Sequence, residues 1–257
     1  MIFSAKTDEG YLFKILTELL QINIKSACFK ITQDGIRLRD MDDPNCMKVL
    51  FDLKLNADMF LSYKFNSNKP INVGINLKHF HKMLKSMKKK DSIELFIEDE
   101  TSENFGIRVI PKENNRVSTS FIRIHTLQVL DIDIPEGYTR PVIVPSTDFQ
   151  KMVKDLRNIS EKVNFSSYGE YISFQCLIDN VLSKEVKFGE NICHNNKEAE
   201  IEEEFDINQL LSIVKLAGLN KNIQIYSKKG FPILLKTQVG SLGHMSVFVK
   251  TNALIDE

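Results

Sequence analysis

The sequence has no net charge, because 34 Lys and Arg are balanced by 34 Asp and Glu. The bulk positive excess that often marks a nucleic-acid binder is therefore missing. No apolar run approaches the roughly 18–20 residues needed to span a bilayer. The opening MIFSAKTDEGYLF lacks the basic start and long apolar stretch of a secretory signal. Cysteine is scarce: Cys28, Cys46, Cys176 and Cys193 stand far apart, with no CxxC spacing. That pattern favours reduced thiols in an intracellular compartment over a disulfide frame or a zinc site. Catalytic signatures are absent too, with no GxxxxGK[ST] loop, no GxSxG and no HExxH. His79 and His81 are two apart, so on a helix they diverge and cannot share a metal. Asp40, Asp42 and Asp43 are followed by Pro44-Asn45, without the glycine of a calcium loop, and read as turn residues. A nuclease built on those acids is the weakest reading, and no catalytic residue, cofactor or metal site is expected.

What is present is ample core material. The chain has 257 residues, 42% of them hydrophobic and 26% charged, which suits one large domain or two of ordinary size. Zero net charge hides segregation. Acid collects in EDETSE (98–103) and KEAEIEEEFD (197–206), and base collects on helix faces.

Four segments have helical periodicity. In EGYLFKILTELL the apolar stripe is Leu12, Ile15, Leu16 and Leu19. In INLKHFHKMLKSMKKK (75–90) it is Leu77, Phe80, Leu84 and Met87, with Lys78, Lys82, Lys85 and Lys89 gathered almost opposite. STDFQKMVKDLRNIS turns Phe149, Met152, Val153, Leu156 and Ile159 inward and presents Lys151, Lys154 and Arg157 outward; Ser146 or Thr147 can cap it. FDINQLLSIVKLAGL uses Ile207, Leu210, Leu211 and Val214, presents Lys215 with Lys221 just beyond, and should end at Gly218. Lys14 is the first helix's contribution. A Lys-rich face is usually only a soluble one, but here it recurs in both halves.

Strand-like runs fill the spaces: ACFKITQDGIRLRDM, SIELFIED, FGIRVIP, STSFIRI, EYISFQC, KEVKFG, NIQIYSKKGFPILLKTQV and HMSVFVK. The turns QDG and KKG sit where hairpins need positive φ. Helix, strands, helix, strands occurs once before about residue 117 and again after about 140. The predicted fold is α+β, an internal two-fold repeat of domains 1–117 and 140–257 joined by an extended connector, 118–139.

Five segments in order resemble the DNA sliding clamps of the proliferating cell nuclear antigen family. They are GIRLRDMDDPN (35–45), VGINLKHFHKMLK (73–85), IDIPEGY (132–138), VPSTDFQKMVKDL (144–156) and GHMSVFVK (243–250) with the acidic LIDE terminus. The resemblance runs nearly end to end. It implies a DNA-clamp fold in which two similar domains, each with two helices on antiparallel sheets, close head-to-tail into a three-fold ring around duplex DNA. Such a ring has no catalytic activity and tethers polymerases and other replication and repair enzymes. It also implies a clamp loader as a partner, no membrane, and action in a nucleus or a viral replication compartment.

Position by position, the resemblance places Lys14, Lys82, Lys85, Lys151, Lys154 and Lys215 in the DNA channel. Periodicity adds Lys78, Lys89, Arg157 and Lys221. Lysines on such a face neutralise phosphates without reading sequence, so a ring can slide. The resemblance also implies a partner-peptide pocket at Met41, Cys46, Ile132, Ile134, Pro135, Pro232 and Phe248. It implies ring-closing strand edges at VSTSFIRI (117–124), with Val117, Phe121 and Arg123, and at KEVKFG (184–189), with Glu185 and Lys187. Departures from the family pattern are Lys48 and Lys250, a connector reading HTLQVL where acid is usual, and Gly169 where nuclear clamps present a lysine for ubiquitin. Neutral charge and these departures fit a large DNA virus or another distant lineage. A subunit of a checkpoint-type heterotrimeric clamp, or a viral processivity factor that closes no ring, shares the fold and stays open as an alternative.

Overall fold

The computed structural model describes residues 1–42, 47–113, 116–127, 132–178, 181–190 and 199–256. The chain forms two compact units: Met1–Asp43 with Phe51–Ile132 and Gln238–Met245, and Pro44–Leu50 with Asp133–Thr237 and Ser246–Glu257. The first carries β1 (Phe3–Thr7), α1 (Gly10–Asn23), β2 (Ser26–Thr32), β3 (Gly35–Met41), β4 (Val49–Asn56), β5 (Ser62–Phe65), β6 (Ile71–Asn76), α2 (Leu77–Leu84), β7 (Ser92–Ile97), β8 (Asn104–Ile110) and β9 (Ser118–Arg123). The strand order β5-β1-β7-β8-β9 makes one sheet, and β6-β2-β3-β4 run side by side in another. The hairpin joining β2 to β3 turns at Gly35, whose φ of +140° suits glycine. A Cβ there would stand 2.0 Å from the Leu55 carbonyl oxygen.

The second half repeats the plan with β10 (Val142–Pro145), α3 (Ser146–Arg157), β11 (Lys162–Ser167), β12 (Tyr171–Ile178), β13 (Leu182–Gly189), β14 (Ile201–Asp206), α4 (Ile207–Ser212), β15 (Asn222–Tyr226), β16 (Ile233–Val239), β17 (Gly243–Val249) and a terminal α5 (Asn252–Asp256). Its strand orders, β10-β15-β16-β17 and β14-β11-β12-β13, copy those of the first half strand for strand. Among the described residues the copy has no counterpart of β5. The two-fold repeat and the α+β antiparallel class read from the sequence are the observed architecture. The connector predicted to begin at 118 begins later, because Ser118–Arg123 are β9, paired with β8 from Val109↔Ser118 to Asn104↔Arg123.

Each core is aromatic-rich. In the first unit Phe80 of α2 meets Phe29 of β2 and Phe105 of β8 edge-on, at 6.4 and 6.1 Å. In the second, Phe165 packs on Phe174 and Phe205 at 5.2 and 6.1 Å, and Phe149, Val153 and Leu156 of α3 are fully buried. Each such side chain contributes about 1.5–3 kcal/mol by leaving water.

Helix ends differ from the periodicity in instructive ways. Residues 75 and 76 finish β6, because the Asn76 side chain accepts the His79 N–H and so caps α2 one residue before Leu77. The helix stops at Leu84, six residues short of the predicted end, and Lys85–Lys90 leave it in turns. Continuing would stack Lys85 and Lys89, and Asp91 offers the backbone an alternative by accepting the Lys88 N–H at 2.8 Å. The fourth helical segment breaks after Ser212 into a 3-10 stretch, Val214–Gly218, which does end at Gly218. Leu12, Ile159 and Leu211, expected to be buried, are part-exposed, while Phe13 and Ile213 take core places. Neither Ser146 nor Thr147 caps α3: Pro145 stands at the cap position, and Ser146 is the buried first residue of the helix.

Candidate functional site

In the first unit α1 packs beside α2. The apolar side of α2 (Leu77, Phe80, Leu84) is buried, and Lys78, Lys82 and Lys85 are exposed on the other side. Among the described residues none of these three joins a salt bridge. A row of unneutralised ammonium groups on a rigid helix can hold a polyanion by its phosphates. Lys14 behaves differently. Its ammonium donates to the Lys85 carbonyl at 2.8 Å and the Met87 carbonyl at 3.3 Å, and lies 5.5 Å from the Tyr11 ring centroid. It thus caps the C-terminal end of α2, where a cation meets the negative pole of the helix. Lys89 lies past the end of α2 and not on its face.

His81 sits in the α1–α2 seam, with Nδ1 3.3 Å from Thr17 Oγ1. Burial pulls its pKa below the ordinary value, against the upward pull of Glu18 and the Lys14 backbone; the charges of Lys14 and Lys85 add to the lowering.

In the second unit Lys151 and Lys154 are exposed on α3, Arg157 is half-exposed, Lys215 is half-exposed in the 3-10 stretch and Lys221 is exposed just before β15. Two acids, Asp148 and Asp155, lie on the same side of α3. Asp155 accepts from Lys184 of β13 at 2.9 Å, and that bond, helped by the charges of Lys184 and Lys151, holds its carboxyl below the usual carboxylate range.

The candidate pocket residues fall in different places. Met41 and Ile132 belong to the first unit, and Ile134, Pro135, Pro232 and Phe248 to the second; Cys46 lies outside the described residues. In the first unit Arg39 donates to the Ile132 carbonyl at 2.8 Å while paired with Asp52 at 3.2 Å. In the second, Tyr138 is the centre of an aromatic cluster with Tyr226, Phe231 and Phe248, at 6.3, 6.3 and 6.2 Å. Its hydroxyl donates to the Pro232 carbonyl at 2.7 Å, and burial pushes its pKa up to about 12. Lys228 lies 3.6 Å from the Phe231 centroid and donates to the Glu136 carbonyl at 2.9 Å. Tyr138, Tyr226, Phe231 and Lys228 were missed from the sequence, although Tyr138 ends the quoted IDIPEGY.

The predicted edges are real edges. β9 ends one sheet and β13 ends another. Phe121 and Val117 are each 54% exposed, while Ile122, pointing the other way, is buried. Phe121 leans on Phe96 at 5.9 Å, across Gly106, where any Cβ would strike the Phe96 ring. Arg123 pairs in the open with Glu103 at 3.1 Å. On β13, Glu185 accepts from Ser173 at 2.7 Å and pairs with Lys187 at 3.3 Å. Sequence reasoning missed the apolar end of the β12–β13 hairpin, where Leu177, Ile178, Val181 and Leu182 are 37–85% exposed. The signal was the run CLIDNVL, with apolar residues on both sides of Asp179-Asn180. Gly169, at φ +78°, occupies the turn between β11 and β12.

Among the described residues no group of three or more His, Cys, Asp or Glu side chains is arranged to hold a metal, and no helix is long and apolar enough to cross a membrane. Asp40, expected in a turn, lies instead within β3, where burial raises its pKa and its carboxylate accepts the Met41 N–H; Asp42 follows the strand in a bend, and Asp43 lies outside the described residues.

A chain built from two copies of one plan, each with paired helices on antiparallel sheets and open sheet ends, has the DNA-clamp fold. The N-terminal domain of proliferating cell nuclear antigen, taken as a family, matches residues 2–135, and the C-terminal domain matches residues 133–252. The chain belongs to the proliferating cell nuclear antigen family. It is similar to the "Probable DNA polymerase sliding clamp 1" of Paramecium bursaria Chlorella virus 1, 22% identical over 258 residues that cover 97% of this chain and 96% of that one. It is also similar to the proliferating cell nuclear antigen of Chaetomium thermophilum, 22% identical over 264 residues and all of both chains. Membership makes it a sliding clamp that serves DNA polymerase as a processivity factor, in a family of scaffolds rather than enzymes.

Proposed function

We propose that three copies of this chain close head-to-tail into a ring on duplex DNA, and that Lys78, Lys82, Lys85, Lys151 and Lys154 face its phosphates. The observation carrying this is the set of exposed, unpaired ammonium groups on helices of both units of a chain with no net charge. Arg157, Lys215 and Lys221 extend the second unit's contribution. Lys14 acts mainly by fixing the end of α2, and Lys89 acts off the helix face. The edges β9 and β13 pair copy to copy, two unlike edges joining as a heterologous interface that closes when the rotation fits. Polymerases and other partners insert short apolar peptides against the second unit's Tyr138–Phe231–Phe248 cluster. The chain itself catalyses nothing, is placed on DNA by a loader, and works in a nucleus or a viral replication compartment.

The test is the variant with Lys82, Lys85, Lys151 and Lys154 all replaced by Ala. Primer extension on a long template should lose its stimulation while light scattering still reports a trimer. Unchanged processivity rejects the channel assignment. A wild-type chain that stays monomeric until other subunits are added replaces the homotrimer with a checkpoint-type ring.

A further inference from the structure

The end of α2 opens onto a second basic feature that the helix face does not include. A cleft of about 910 Å³ lies in the first unit, between the turns that follow α2 and residues 111–113 and 116–118, which lie between β8 and the start of β9. Five cations line it: Lys88, Lys89, Lys90, Lys112 and Arg116. All five are exposed, and among the described residues none of them is in a salt bridge. Two acids border the cleft. The Asp91 carboxylate is turned inward onto the Lys88 backbone N–H, and Asp91 is only 7% exposed. Glu113 alone remains as an exposed counter-charge. Crowding five like charges around one concavity is unfavourable for the free chain. The arrangement is stabilised when an anion fills it.

We infer that this cleft binds the phosphodiester backbone of duplex DNA, as an outlying contact beyond the face of α2. The inference rests on the channel reading and extends it. Met83 and Ser86, at the end of α2, line the cleft together with the cations, so the cleft begins where the Lys82 and Lys85 face stops. A backbone held by those two lysines continues onto Lys88–Lys90 without a gap in positive charge. Among the described residues no aromatic side chain lines the cleft, so they offer no platform for unstacked bases, and four of its five cations are lysines, point charges without a planar fork. It reads charge and not sequence. Those features favour duplex phosphates over a single strand, and continuity with the helix favours nucleic acid over an acidic peptide.

Fluorescence anisotropy with the full chain tests this, using a labelled 30-base-pair duplex, a labelled 30-nucleotide oligo-dT and a poly-Glu peptide across 50–200 mM salt. The cleft variant carries Lys88→Gln, Lys89→Gln, Lys90→Gln, Lys112→Gln and Arg116→Gln; a smaller one carries only the last two, in case the first fails to fold. Each contacting cation contributes about 0.9 to the slope of log affinity against log salt on duplex. The full variant should flatten that slope by about 2–4, weaken duplex binding at least tenfold at 50 mM salt, and change oligo-dT binding less. Unchanged duplex binding in a folded variant overturns the inference, as does an equal loss on oligo-dT or a loss confined to poly-Glu. The Lys82, Lys85, Lys151 and Lys154 variant, run alongside, separates the two ideas. If it weakens duplex binding and the cleft variant does not, the cleft falls and the channel stands. The reverse result removes the channel reading and keeps the cleft.

Discussion

Replacing Phe121 with Ser should dissolve the ring without unfolding the chain. Phe121 projects from β9, an end strand, and is 54% exposed in the single chain. A Phe side chain presents about 200 Å², so its uncovered half offers about 110 Å² to a neighbouring copy. At 25 cal/mol per Å² that burial is about 2.7 kcal/mol at each interface, or about 100-fold in the association constant. Within the chain, the substitution gives up the half that is already covered, including the edge-on contact with Phe96, about 2 kcal/mol by the same area rule. A closed trimer loses this at all three interfaces and its midpoint varies as the square root of the three-body constant, so size-exclusion chromatography with light scattering, from nanomolar to tens of micromolar, should show the midpoint of assembly moving up by about three decades. The urea midpoint should fall only by the amount of that intrachain loss. An unmoved assembly midpoint in folded Phe121→Ser would mean that β9 does not face another copy, and the edge-pairing scheme would be wrong.

Lys14→Gln should lower the unfolding free energy by about 1 kcal/mol, because it strips the cap from two carbonyls at the end of α2; Lys82→Gln, fully exposed, should stay within about 0.5 kcal/mol of wild type in the same urea titration. Gly106→Ala places a Cβ 2.3–2.6 Å from the Phe96 ring, whose other side is held by Arg108 at 4.8 Å, so thermal melting should report a loss of about 1–3 kcal/mol. His81 has a folded pKa held below its ordinary 6.5, chiefly by burial. The unfolded chain therefore takes up this proton first as pH falls, so the stability tied to neutral His81 is complete above about 6.5 and is lost below it as pH falls toward the folded value. His81→Gln should flatten the fall in urea midpoint between pH 7 and 5; an identical profile would show that Thr17, Glu18, Lys14 and Lys85 leave the ring proton unbiased.

Much of this was readable because it is periodic or punctuated. Leu77, Phe80 and Leu84 recur at helical spacing and are buried, and QDG and KKG mark the hairpins they were expected to mark. β14 was hidden because IEEEFD looks like an acid cluster. Its alternation survives only in Ile201, Glu203 and Phe205, and Glu204 is accommodated by Lys162 at 2.8 Å and by Asn252. β1, β5, β6, β10 and β11 were also missed, being short or running directly into helices or turns, where no long pattern forms; β4 was missed although Phe51, Leu53 and Leu55 alternate along its eight residues. The end of α2 was overestimated because a helical wheel has no means of knowing that Asp91 competes for the backbone. Lys14 shows the deeper limit. Its partners are 71 and 73 residues away, and no local pattern reports a carbonyl delivered by tertiary packing.

The uncovered leucines, isoleucine and valine near the end of the β12–β13 hairpin matter in the single chain. A newly made protomer carries this greasy loop and two open rows of backbone donors and acceptors into a crowded cell, where any stray strand can latch onto them. Making the chain in large excess is thus hazardous, and whatever covers these edges doubles as protection against clumping.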